Sequence, residues 1–107
     1  MSKEVIAIDI GGTHLRVALV KNGKIVTFVK VDTPKNKKDI LKVLEKNTKE
    51  LFSSKIEGIG IGCAGAVENG IVKLSPNLPL KNVNLKKFFQ EKFKIKVIVE
   101  NDANCVA

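Results

Sequence analysis

Asp9-Ile10-Gly11-Gly12-Thr13-His14-Leu15-Arg16 separates two apolar runs, Val5-Ile6-Ala7-Ile8 and Val17-Ala18-Leu19-Val20. This order predicts a tight turn between two strands, carrying an acid, two glycines and a hydroxyl. Glycine lets a backbone approach a ligand closely and adopt dihedrals that other residues avoid. Successive N–H groups in such a turn form a concavity suited to anions. Thr13 adds a donor, and the Asp9 carboxylate suits a magnesium ion or its water shell better than a bare phosphate. The stretch reads either as a site for magnesium and a nucleotide phosphate or as a ligand-free turn, where Gly, Asp and Thr are equally at home. It is neither a G-x-G-x-x-G dinucleotide turn nor a G-x-x-x-x-G-K-[ST] phosphate loop.

Outward from this stretch, Asn22-Gly23 precedes Ile25-Val26-Thr27-Phe28-Val29-Lys30-Val31. An Asn-Gly pair between strand-like runs marks a two-residue hairpin, so the first three strands form an antiparallel meander. Thr33-Pro34 stops it. Residues 36–53 then follow a helical period through Ile40, Leu41, Val43, Leu44, Thr48, Leu51 and Phe52, with Asn36 or Thr33 as the cap. Ile59-Gly60-Ile61-Gly62 suits a central strand that something approaches on its glycine side. Residues 63–80 read as irregular, with one short strand at 70–74. Asn84 caps a second helix whose buried stripe is Leu85, Phe88, Phe89 and Phe93. Residues 96–100 form a last strand, ending on Asn101-Asp102-Ala103-Asn104, which has the composition of a helix start.

The predicted fold is α/β: a mixed five-stranded sheet with three antiparallel strands first, then helix-strand units. Ligands of such sheets gather at the carboxyl ends of strands. Asp9 and Asp102 both fall at or just past such ends. The tail reads as the opening turns of a helix that is cut off, so the expectation is the front lobe of a longer protein.

Bulk composition narrows the function classes. The 107 residues suffice for one domain, and 44% hydrophobic with 28% charged residues is ordinary for a globular chain. No apolar stretch approaches the roughly 18–20 residues of a membrane span. The start leads directly into a strand without a signal peptide, so a cytoplasmic location is expected. Cys63 and Cys105 form no C-x-x-C pair and His14 is the sole histidine, so the cysteines read as reduced, packed thiols rather than metal ligands. The net charge is +8, and Arg16 is the only arginine. The lysines cluster at 35–38, 42–49, 86–87 and 92–96, largely on polar helix faces. With no Trp or Tyr and a single Arg, this pattern argues against a nucleic-acid partner. A positive field would also draw in a polyanionic nucleotide.

Four segments, taken together and in this order, resemble the ROK family (repressor, open reading frame, kinase). They are Ala7-Ile8-Asp9-Ile10-Gly11-Gly12-Thr13, Gly58-Ile59-Gly60-Ile61-Gly62-Cys63-Ala64-Gly65-Ala66-Val67, Ser75-Pro76-Asn77-Leu78-Pro79, and Val99-Glu100-Asn101-Asp102-Ala103-Asn104. The resemblance implies an actin-like ATPase (ribonuclease H-like) lobe, one of two around a nucleotide cleft, with residues 1–107 as the N-terminal lobe. It implies that Asp102 is the catalytic base, which accepts a proton from a sugar hydroxyl as that hydroxyl attacks the γ-phosphate of ATP. Local sequence alone reads Asp102 as a helix N-cap. It further implies that Gly65, Ser75, Asn77 and Asn101 surround the sugar with Asp102. Gly11, Gly12 and Thr13 then belong to the first phosphate-binding segment, with Asp9 near magnesium through water. Arg16 reads as structural.

The chain departs from the family pattern at Ala64, where proline is usual, at Glu68, where aspartate is common, and at His14, where lysine is frequent. The family's second sugar-binding stretch, zinc motif, second phosphate loop and adenosine pocket have no counterpart in residues 1–107. The implied function is ATP-dependent phosphorylation of a hexose, foremost glucose at its 6-hydroxyl. Magnesium and ATP are then required, any structural zinc belongs to the absent lobe, and the parent protein is a candidate homodimer. The isolated lobe is expected to be inactive. Two rivals stand beside this reading. One is a sugar-sensing transcriptional regulator of the same family, although only eight residues precede Asp9, too few for a helix-turn-helix. The other is a non-enzymatic actin-like module that binds nucleotide.

Overall fold

The computed structural model describes residues 3–74 and 78–101. Strands β1 (Glu4–Ile10), β2 (His14–Lys21) and β3 (Lys24–Asp32) form the expected antiparallel meander. Its second turn is the hairpin that Asn-Gly chemistry favours, with φ of 52° at Asn22 and 80° at Gly23. Helix α1 (Lys37–Leu51) begins at Asn36, whose side-chain carbonyl accepts the Asp39 N–H at 2.9 Å. Asn36 rather than Thr33 is therefore the cap. The helix buries Ile40, Leu44 and Thr48. Strand β4 (Ile56–Cys63) then returns parallel to β1.

The short strand expected at 70–74 is present at Ile71–Leu74, but it belongs to a sheet that the expectation of an otherwise irregular segment did not include. Strands β5 (Ala66–Glu68), β6 (Ile71–Leu74) and β7 (Val83–Asn84) form a second, antiparallel sheet in the order β5-β6-β7. The β5–β6 turn is Asn69-Gly70, with φ of 53° and 81°, the same device as Asn22-Gly23. Helix α2 (Leu85–Phe93) follows, capped by Asn84, which accepts the Lys87 N–H at 2.9 Å. Strand β8 (Val97–Asn101) closes the order β3-β2-β1-β4-β8 of the main sheet, parallel to β4.

Both helices lie on one face of this sheet. The β1-to-β4 and β4-to-β8 connections step in the same direction, and right-handed crossovers then place α1 and α2 on the same side. Alternation sends Ile6, Ile8, Ile10, Leu15, Val17, Ile59, Ile61, Cys63, Val97 and Val99 toward them. There these side chains join Ile40, Leu44 and Phe89 in one buried cluster. The helices are tied to each other by Phe52 and Phe93, with ring centroids 5.1 Å apart, and by Lys92 to Glu45 at 3.4 Å. On the opposite face Ala7, Gly60 and Ile98 are exposed among the described residues, and a Cβ on Gly60 would meet nothing within 4 Å. A shallow groove of about 470 Å³ opens there beside Val5, Gly58 and Ile98. It lies toward the amino ends of the strands, the end opposite the candidate site. Among the described residues no helix is long and apolar enough to cross a membrane.

Candidate active site at the carboxyl edge of the parallel strands

The three parallel strands end in register: Ile10 stands beside Cys63, and Cys63 beside Asn101. Two strand spacings separate Ile10 from Asn101, about 9.5 Å of backbone. The edge thus gathers the turn after β1, the turn after β4 and the end of β8. The Ala64 N–H extends the ladder by donating to the Ile10 carbonyl at 3.0 Å. At Gly65 the backbone takes φ of 107°, a region L side chains rarely adopt. The Gly65 carbonyl accepts the side-chain amide of Asn101. Two of the residues expected to surround a sugar are therefore in direct contact, one in the turn after β4 and the other at the end of β8.

The turn between β1 and β2 is held by a small network. The Gly11 N–H donates to the His14 carbonyl at 3.0 Å, and the Thr33 N–H donates to the Thr13 carbonyl at 3.0 Å. The Thr33 hydroxyl donates to the Gly11 carbonyl at 2.7 Å. This bears on the expectation that Gly11, Gly12 and Thr13 form a phosphate-binding segment. The Gly11 amide is engaged inside the turn, whereas the Gly12 and Thr13 amides donate to no acceptor among the described residues. Neither glycine takes a positive φ. Gly11 is needed for close approach instead, since a Cβ there would lie 3.2 Å from the His14 carbonyl oxygen.

Asp9 is exposed, in register with Arg16 on β2 and Gly62 on β4, with Glu100 next along the same row. Strand alternation puts Asp9 on the open face of the sheet and Asn101 on the helix-bearing face. Arg16 is exposed on β2 and makes no ion pair with Asp9. Its guanidinium sits 5.4 Å from the Phe28 ring centroid. His14 pairs instead across the strands with Asp32, at 3.5 Å. Among the described residues no group of three His, Cys, Asp or Glu side chains could hold a metal by itself. Magnesium keeps most of its water and binds through one or two carboxylates plus phosphate oxygens. Asp9 offers such an exposed carboxylate. The remaining expected site residues, Ser75, Asn77 and Asp102, lie outside the described residues. Reading the sequence missed the part played by Thr33, which it assigned to ending the meander or capping a helix. No local pattern marks its 22-residue reach back to Gly11.

Comparison with known proteins places this architecture. The fold superposes on a ROK family glucokinase from Streptomyces griseus, solved with glucose and AMPPNP. The TM-score is 0.85 at 31% identity, covering 94% of this chain and 34% of that one. The sheet order and crossovers are those of an actin-like ATPase lobe. The model of the ROK family matches residues 5–107, and the chain belongs to that family. Among curated relatives, the glucokinase of Thermotoga maritima is 37% identical over 94% of this chain and 34% of its own length. The xylose repressor of Caldicellulosiruptor bescii is 32% identical over 96% of this chain and 29% of its own. The chain thus spans about a third of the length of these relatives.

Proposed function

We propose that the protein to which this lobe belongs transfers the γ-phosphoryl group of ATP to a hexose hydroxyl, with glucose as the foremost acceptor. The observation that carries the reading is the common edge where β1, β4 and β8 end. The phosphate-type turn and the Asn101–Gly65 pair meet there within about two strand spacings. The glucose and AMPPNP bound by the Streptomyces griseus glucokinase support the same pairing of substrates.

In this reading the Gly12 and Thr13 amides, which donate to no acceptor among the described residues, receive phosphate oxygens. The Gly65 turn and Asn101 contact the sugar, with Ser75 and Asn77. Asp102 follows Asn101 directly and takes the proton of the attacking hydroxyl. A carboxylate within hydrogen-bond reach accelerates such a step about 10²–10⁴-fold. Magnesium bound with ATP would neutralise developing phosphate charge, and Asp9 is the residue that would hold it. The lobe supplies one wall of the cleft, and closure against a second lobe excludes water from the transfer. The location is the cytoplasm, where ATP and hexose meet.

The 32% identity to a xylose repressor favours one alternative, a sugar-sensing transcriptional regulator that binds a sugar without phosphorylating it. A coupled assay of the full-length protein with MgATP and a hexose panel separates the two. Turnover identifies the kinase. Sugar binding without turnover identifies the sensor.

A further inference from the structure

We infer that Thr33 is a positioning residue for the nucleotide phosphates, acting through the turn at residues 11–14 and resting on the kinase reading above. Thr33 sits one position past β3 and contacts that turn twice. Its N–H holds the Thr13 carbonyl and its hydroxyl holds the Gly11 carbonyl. The second bond sets the direction of a ligand-facing donor. The Gly11 carbonyl and the Gly12 N–H belong to one planar trans peptide and point in opposite directions. Pulling the carbonyl toward Thr33 therefore aims the Gly12 N–H away from Thr33, out of the turn. The same bond polarises that peptide and makes its N–H a stronger donor.

The network also disposes of the wrong charges. The carbonyl oxygens of Gly11, Thr13 and His14 each accept a hydrogen bond within the turn: two from Thr33 and one from the Gly11 amide. Left unanchored, these oxygens could rotate toward a polyanion and repel it. The half-buried setting of the Thr33 hydroxyl keeps water from substituting for it freely. Pro34 follows, and a residue before proline is confined to extended backbone. That narrows the backbone conformations from which Thr33 meets the turn.

The test uses the full-length protein, with Thr33→Val and Thr33→Ala removing the hydroxyl and Thr33→Ser retaining it. The main-chain bond to Thr13 persists in all three. Binding of MgATP, adenosine and glucose is measured by calorimetry alongside steady-state kinetics. The expected result is about a tenfold weaker MgATP affinity and a matching rise in the ATP KM for Val and Ala. Adenosine and glucose affinities should stay at wild-type values, and Ser should restore MgATP binding. If Val and Ala bind MgATP as wild type does, the inference is overturned while the kinase reading stands. If all three ligands weaken together and Ser fails to rescue, Thr33 is merely structural. If the wild-type protein binds no MgATP, the phosphate reading of the turn falls and this inference with it. Should Val fail to fold, Ala against Ser decides.

Discussion

The side-chain amide of Asn101, at the end of β8, donates to the main-chain carbonyl of Gly65 in the turn after β4, a link across 36 positions of sequence. It binds together two segments that local sequence shows only as separate turns. It also fixes the side chain of Asn101, the residue that immediately precedes in sequence the proposed catalytic base. Replacing Asn101 by Asp conserves shape but sets a carboxylate against a carbonyl oxygen. In the full-length protein we expect hexose affinity to fall by about 5- to 150-fold, since leaving a part-buried acceptor unsatisfied costs about 1–3 kcal/mol. Titration of Asn101→Asp with glucose checks this. Unchanged sugar affinity would mean that the contact does not shape the sugar site.

The two Asn-Gly hairpins make a controlled pair. Gly23 and Gly70 have nearly equal φ, 80° and 81°, but a Cβ at Gly23 meets nothing within 4 Å, whereas at Gly70 it would lie 2.5 Å from the Cβ of Lys86. Gly23→Ala should cost only the left-handed backbone penalty, about 1–2 kcal/mol. Gly70→Ala adds a steric overlap worth about 1–3 kcal/mol more. Urea denaturation of both variants measures the difference. Equal losses would contradict the packing of α2 against the β5–β6 turn.

Thr48 is fully buried on α1, and its hydroxyl has no hydrogen-bond partner among the described residues. Thr48→Val keeps the shape and removes a desolvated polar group. We expect about 1 kcal/mol of added stability. Thr48→Ser, which keeps the hydroxyl and loses a methyl, should destabilise by about 1 kcal/mol. Thermal melts of the two variants should therefore move in opposite directions.

Asn36 rather than Thr33 caps α1, so Asn36→Ala should cost about 1 kcal/mol of stability. Thr33→Val should leave the helix start intact. Amide hydrogen exchange at Asp39, whose N–H the cap accepts, reports the distinction. Faster exchange in Asn36→Ala alone is the expected outcome.

These features were legible in the sequence to different degrees, for physical reasons. Asn22-Gly23 announced its hairpin because both positions demand positive φ, and the long periodic segments announced α1 and α2. The second sheet stayed hidden because strands as short as Val83–Asn84 carry no readable alternation. Asn69-Gly70 was nonetheless the same signal as Asn22-Gly23 and could have revealed the β5–β6 hairpin. Gly11 and Gly12 suggested special dihedrals, but the structure uses Gly11 for closeness to the His14 carbonyl instead. The Thr33 clamp was not legible, since a hydrogen bond between a loop residue and a turn 22 positions away leaves no local pattern. The family resemblance, carried by four short segments, is the part that the family comparison bears out most directly.

The central claim is phosphoryl transfer to a sugar with Asp102 as the base. The most direct measurement is hexokinase turnover by the full-length protein and by its Asp102→Asn variant, with glucose affinity measured in parallel. The account predicts that the variant binds glucose normally and loses about two to four orders of magnitude in kcat. Turnover of Asp102→Asn at the wild-type rate would contradict it.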